Sequence, residues 1–280
     1  MRWRDRQRSR NVIDRRGQRV RRGPALGGGA IVIALIAAVF FGADPRMVLE
    51  TVGGLQQASV PTGPAGPRPA AENEAAEFVS VVLADTEVTW QALFQEAGGR
   101  YQLPKLVLFT DSVTSACGMA SAASGPFYCP GDNQLYLDLG FLAELQRMGA
   151  KGDFAVAYVI AHEVGHHVQN LAGAARRVQA AKQRMTKADA NALQVSMELQ
   201  ADCYAGVWAH HANRRNLLDG GDIEEGLSAA SAVGDDHLQR MAGRRVTPES
   251  FTHGSSKQRM QWFSQGFEAG NANACDTFDS

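Results

Sequence analysis

No two of the four cysteines (Cys117, Cys129, Cys203, Cys275) stand at CxxC spacing, which argues against a cysteine-built zinc site. No internal repeat runs through the 280 residues, so repeat architectures fall away and the length allows one sizeable domain or two small ones. Net charge is also nearly absent: 28 Lys and Arg against 29 Asp and Glu leave −1. That balance conceals an asymmetry. Residues 1–22 hold ten Arg against Asp5 and Asp14, a net +8, so the remaining chain carries −9. At 45% hydrophobic and 20% charged, the chain has the composition of a protein that buries a core.

Charge is missing altogether from Gly23 to Ala43, and Ala30 to Phe41 is wholly apolar. Such a span reaches about 30 Å as a helix, enough to cross a bilayer core. With the Arg-rich flank on its N-terminal side, the positive-inside rule predicts a cytoplasmic tail at residues 1–22, a signal anchor at 23–43 and the remainder beyond the membrane. A cleaved signal peptide is the competing reading. Ala37-Ala38-Val39 is a poor cleavage site, however, and the basic region is long for a signal peptide. The Arg run then reads as topogenic and lipid-facing, with no nucleic acid among the partners. Four cysteines suit an oxidising compartment and allow three pairings. Cys117 with Cys129 would staple a short loop and leave Cys203 with Cys275.

Residues 44–71, with Pro61, Pro64, Pro67 and Pro69 among small residues, read as a flexible linker. Residues 72–280 form the folded domain. A helix is predicted from Glu72 to the stop at Gly98-Gly99, and strands at Lys105 to Thr110 and Leu135 to Leu139, the latter after a turn at Pro130-Gly131-Asp132-Asn133. From Asp153 the pattern is helical, with breaks near Gly173, Gly220-Gly221 and Gly243 to Pro248. The fold class is α+β: a small sheet, then a helical bulk.

The apolar run Phe154 to Ala161 continues into His162-Glu163-Val164-Gly165-His166. Positions i and i+4 share a helix face, so His162 and His166 present two imidazoles to one point, as two ligands of a zinc ion would be. Glu163 lies about 100° round the helix, beside that point, where a carboxylate can take a proton from a metal-bound water. Two histidines and a glutamate on a buried helix are costly without a partner, and a metal supplies one.

The third ligand must come from elsewhere. Glu198 and Asp202 stand four apart on a second apolar-periodic helix and resemble the Glu-x-x-x-Asp pattern of the gluzincins. That resemblance makes Glu198 the ligand and Asp202 the partner that orients His162. The alternative is an exposed acidic pair on a helix surface.

The likeness widens. Asn11-Val12, Asp14 to Gly17, Gly125 to Pro130, Ala161 to Gln169, Glu198 to Asp202, Val233 to Asp236, Phe251 to Ser256, Trp262-Phe263 and Cys275 to Phe278 resemble the bacterial putative neutral zinc metallopeptidase family. The family implies a zincin-like fold, Zn2+, hydrolysis of peptide bonds in a peptide or protein substrate, and single-pass anchoring in the bacterial inner membrane. Gluzincin-like enzymes also use a late His, Tyr or Arg at the oxyanion, which makes His253 a second catalytic candidate beside Glu163. A loop histidine ahead of a helix capped by Ser255 is the plainer account of His253. His167 reads as helix flank, and His210 and His211 as cations suited to a helix end. A zinc-stabilised binding or assembly module without activity is the alternative function.

Overall fold

A computed structural model of the chain describes residues 1–17, 70–121 and 125–278. The first element is a short strand, β1 (Val12–Asp14), and the next a long helix, α1 (Ala70–Glu96). Five strands follow: β2 (Lys105–Phe109), β3 (Ser112–Ser115), β4 (Gly118–Ser121), β5 (Phe127–Cys129) and β6 (Gln134–Asp138). The helical part holds α2 (Phe141–Arg147), α3 (Asp153–Leu171), α4 (Ala174–Lys182), α5 (Lys187–Arg214), α6 (Asp222–Ala232), α7 (Asp235–Met241) and α8 (Ser256–Ala269). The α+β class is as expected from the sequence, with α1 preceding most of the sheet and the remaining helices following it.

Four strands form one sheet in the order β1-β2-β6-β5, with β1, β2 and β6 parallel and β5 antiparallel at the edge. Parallel strands covered on both faces carry continuous apolar runs. Accordingly Leu106, Val107, Leu108 and Phe109 of β2 are all buried. β3 and β4 pair as a separate antiparallel hairpin. Its turn is joined to the main sheet by the Cys117–Cys129 disulfide. The helical run breaks at Gly173, as expected, and also at two places the sequence pattern does not mark. Thr186 caps α5 by accepting from the Asp189 amide, and Gly234 packs where a Cβ would lie 2.4 Å from the Ser256 amide.

The core surrounds α3, whose Phe154, Ala157, Tyr158, Ala161 and Val164 are almost wholly enclosed. α5 and α8 meet backbone to backbone. A Cβ on Gly266 would sit 1.9 Å from the Cys203 carbonyl oxygen, so glycine is obligatory there. The Cys203–Cys275 disulfide closes the same contact, fastening the segment after α8 to the middle of α5.

The membrane part of the sequence reading is corrected. Among the described residues no helix is long and apolar enough to cross a membrane. The expected anchor at 23–43 and most of the 44–71 linker lie outside the described residues. The basic segment 1–17 is part of the folded domain. β1 hydrogen-bonds in register with β2, Val12 opposite Leu106, and Trp3 is buried edge-on against Phe78 of α1. Four of the segment's seven arginines pair with carboxylates of this same chain: Arg2 with Asp219, Arg4 with Glu74, Arg8 with Glu77 and the buried Arg16 with Asp14. A tail on the cytoplasmic side of a bilayer could not add a strand to a sheet beyond it, so the single-pass inner-membrane localisation is overturned.

Removing residues 1–17 uncovers the Trp3 and β2 surfaces. Loss of one buried Trp alone costs about 3–5 kcal/mol, so the thermal midpoint is expected to fall by roughly 10 °C or more. Thermal unfolding of the full chain against the deletion checks this. An unchanged midpoint would mean that the segment does not hold the sheet edge.

Candidate metal centre

Two helices build the site. α3 crosses α5 closely at Gly165, where a Cβ would stand 3.0 Å from the Ala201 backbone. This approach lets carboxylates of α5 reach the imidazoles of α3. His162 and His166 are one turn apart, their rings 4.7 Å between centroids. Glu198 comes in from α5, its Oε2 3.2 Å from His162 Nε2 and 3.6 Å from His166 Nε2. One ligand atom from each of the three lies within 4.8 Å of the others, a group that could hold a metal ion.

Each of these side chains is gripped from behind. His162 Nδ1 lies 2.8 Å from Asp202 Oδ1. Asp202 is wholly buried and also accepts from the Tyr158 hydroxyl at 2.5 Å and from Arg259 of α8 through Nε at 2.8 Å and Nη2 at 2.9 Å. His166 Nδ1 meets Gln169 Oε1 at 2.9 Å, and Gln194 Nε2 donates to Glu198 Oε1 at 2.9 Å. With Nδ1 of both imidazoles turned to acceptors, the two Nε2 lone pairs and Glu198 Oε2 face one another. Acceptors that converge in a buried place need a cation among them, a proton or a metal.

The electrostatics agree. Burial disfavours a charged His162, but Asp202 and Glu198 outweigh it and raise its pKa to about 9. His166 is likewise raised: burial opposes, and Glu198 prevails. Burial pushes Glu198 upward, yet the two histidines hold it well below the ordinary carboxylate value. Asp202 is depressed against its burial by Arg259 and then His162.

The site opens on a cleft of about 1660 Å³ bordered by His162, Glu163, His166, Glu198 and His253. Glu163 is half-buried at its edge. His253 reaches the cleft from the loop before α8, where Asp235 Oδ2 accepts the backbone amides of Thr252, His253 and Gly254 at 2.7, 2.6 and 3.1 Å. Asp235 Oδ1 lies 3.3 Å from His253 Nδ1. Ser255 caps α8 with a full capping box to Gln258. The structure thus brings all six residues singled out from sequence to one cleft or its immediate backing. His167 stands apart, buried with Nε2 2.6 Å from the Gln102 carbonyl and Nδ1 3.1 Å from the Tyr128 hydroxyl. His210 and His211 bond the Phe267 and Gly270 carbonyls at the end of α8 rather than their own helix.

Sequence reasoning missed Arg259, Tyr158, Gln169 and Gln194. Three of these had a local signal, because Tyr158, Gln169 and Gln194 stand three or four residues from His162, His166 and Glu198 on the same helices. Arg259 had none, since it arrives from another helix.

Comparison with known proteins agrees with the motifs. The family described as "Putative neutral zinc metallopeptidase" matches residues 1–278. The uncharacterised protein YpfJ of Escherichia coli (strain K12) is 44% identical over 290 residues, covering 99% of both chains. The uncharacterised proteins Mb2605 of Mycobacterium bovis and Rv2575 of Mycobacterium tuberculosis are each 41% identical over 219 residues, covering 74% of this chain and 73% of theirs. No solved structure matches.

Proposed function

We propose, on the premise that this chain belongs to the family described as Putative neutral zinc metallopeptidase, that it is a zinc-dependent peptidase with Glu163 as its general base. The observation that carries this reading is the convergence of His162 Nε2, His166 Nε2 and Glu198 Oε2, each side chain held by a partner on its other polar atom. Two neutral imidazoles and one carboxylate are a donor set suited to catalytic zinc, leaving a place for water or substrate.

Zinc, when bound, polarises a scissile carbonyl and brings the pKa of an attacking water near neutrality. Glu163 borders the cleft one residue on from His162 and is not one of the three converging donors. There it takes the proton from the attacking water and passes it to the leaving amine. Asp202 holds His162 by Nδ1, keeping Nε2 directed at the donors' meeting point. Asp235 does the same for His253, leaving Nε2 for the cleft. The Asp235 hydrogen bond, working against burial, raises the His253 pKa, so its positive charge persists to higher pH. That charge suits a developing oxyanion. β5 is the edge of the sheet and contributes Phe127 and Tyr128 to the cleft wall, so an extended peptide can add to it through backbone hydrogen bonds.

The test is metal content and cleavage of a mixed-peptide library by the full chain. A single zinc is expected in the wild type, with peptide cleavage, and both are lost in Glu198→Ala. Zinc without cleavage of any peptide would favour the zinc-stabilised binding or assembly module instead. Unchanged zinc in Glu198→Ala would remove Glu198 as the third ligand.

A further inference from the structure

His162 is backed by a carboxylate, but His166 is backed by an amide, and what orients that amide lies far along the chain. The Cys275 carbonyl is an acceptor only, so the group 2.9 Å from it, on Gln200, must be the amide nitrogen. Gln200 Oε1 then faces Gln169, at 3.1 Å from Nε2. The Met197 carbonyl, also an acceptor only, stands 2.7 Å from the same Gln169 nitrogen. Two acceptors therefore claim the Gln169 amide nitrogen, and its oxygen has one direction left, toward His166 Nδ1 at 2.9 Å. An oxygen there requires a proton on Nδ1, which in the neutral imidazole leaves Nε2 bare.

We propose that the Cys275 carbonyl, through Gln200 and Gln169, sets the tautomer and orientation of His166, so that the segment after α8 positions a metal ligand it never touches. The inference rests on the reading that His166 holds the metal. The relay has no freedom to reverse. Gln169 is wholly enclosed and Gln200 nearly so, so solvent offers neither an alternative partner. The Cys275 end is fastened by the Cys203–Cys275 disulfide and by the Thr277 hydroxyl, which donates to the Ser196 carbonyl at 2.6 Å. Both anchors lie on α5, the helix that carries Glu198, so the ligand and the relay that aligns its neighbour move together. Flipping the Gln169 amide would set its oxygen against the Met197 carbonyl and Gln200 Oε1, two acceptors, and lose both of those buried hydrogen bonds.

Gln200→Met removes both links at similar volume, and Gln200→Glu is its conservative counterpart. Burial favours the neutral carboxyl, whose hydroxyl can donate to the Cys275 carbonyl while its carbonyl oxygen accepts from Gln169. Zn2+ dissociation constants are measured on full chains by competition with a chelator, with His166→Ala alongside. Histidine ¹⁵N spectra of the zinc-loaded proteins report the Nδ1 proton. Gln200→Met is expected to weaken zinc binding about 10-fold, the low end for partners of metal ligands, and Gln200→Glu to restore most of it. His166 in the wild type shows a protonated Nδ1. Should Gln200→Met fail to fold, Gln169→Met tests the same relay one link closer. Zinc held by the wild type, lost in His166→Ala and unchanged in Gln200→Met overturns the relay alone. A wild type that binds no zinc, or binds it equally without His166, overturns the ligand reading and the relay with it.

Discussion

Glu163→Gln is expected to keep its zinc and to cleave peptides about 10³-fold more slowly than the wild type, within the range that positioned acid–base groups contribute. The two halves of this result have separate causes. In the proposed site the ion would be held by His162, His166 and Glu198, whose donor atoms meet within 4.8 Å without Glu163, so the substitution is expected to leave the metal's grip intact. The amide matches the carboxylate in size but cannot accept the proton of an attacking water. Zinc content and kcat/KM on one peptide, measured on the same preparation, separate the two. Turnover within tenfold of the wild type would take the general-base role from Glu163, and loss of zinc would place it in the ligand set instead.

Arg259→Leu is expected to destabilise the fold by about 3–5 kcal/mol, the cost of removing one partner from a buried ion pair. Asp202 has no exposure, and Arg259 meets both of its oxygens. Without the guanidinium the carboxylate keeps Tyr158 and His162 but has no permanent cation. Asp202→Asn in the Arg259→Leu background is expected to recover part of the loss, since the stranded charge is gone. Urea unfolding of the metal-free proteins is the measurement, because bound zinc would add its own stabilisation to the native state. A loss below about 1 kcal/mol would mean that the pair is solvated rather than enclosed.

The candidate metal site was legible because its geometry is local. His162 with His166, and Glu198 with Asp202, are spaced by one helical turn, and an α-helix admits one arrangement of such pairs. The alternation of sheet and helices followed in the same way from runs such as Leu106 to Phe109 and Phe154 to Ala161. The N-terminal segment was misread for an equally physical reason. Ten arginines followed by an uncharged stretch look the same whether the anionic groups near them belong to lipids or to this chain. The acidic excess of the remaining chain held the answer, but which carboxylates stand near residues 1–17 is a tertiary fact. β1 is three residues long, and its strand character exists only against β2.

What the sequence by itself determined is the inventory: the histidines and carboxylates whose chemistry suits a metal site, and which of them share a helix face. Only the tertiary structure decided how those groups are aimed. Arg259 reaches Asp202 because α8 lies against α5 backbone to backbone, and Cys275 reaches Gln200 because a disulfide closes that same contact. Both depend on side chains brought together by packing, whose partners no local period specifies. Residues 1–17 belong with them, since a strand edge and an ion pair take their meaning from what lies opposite.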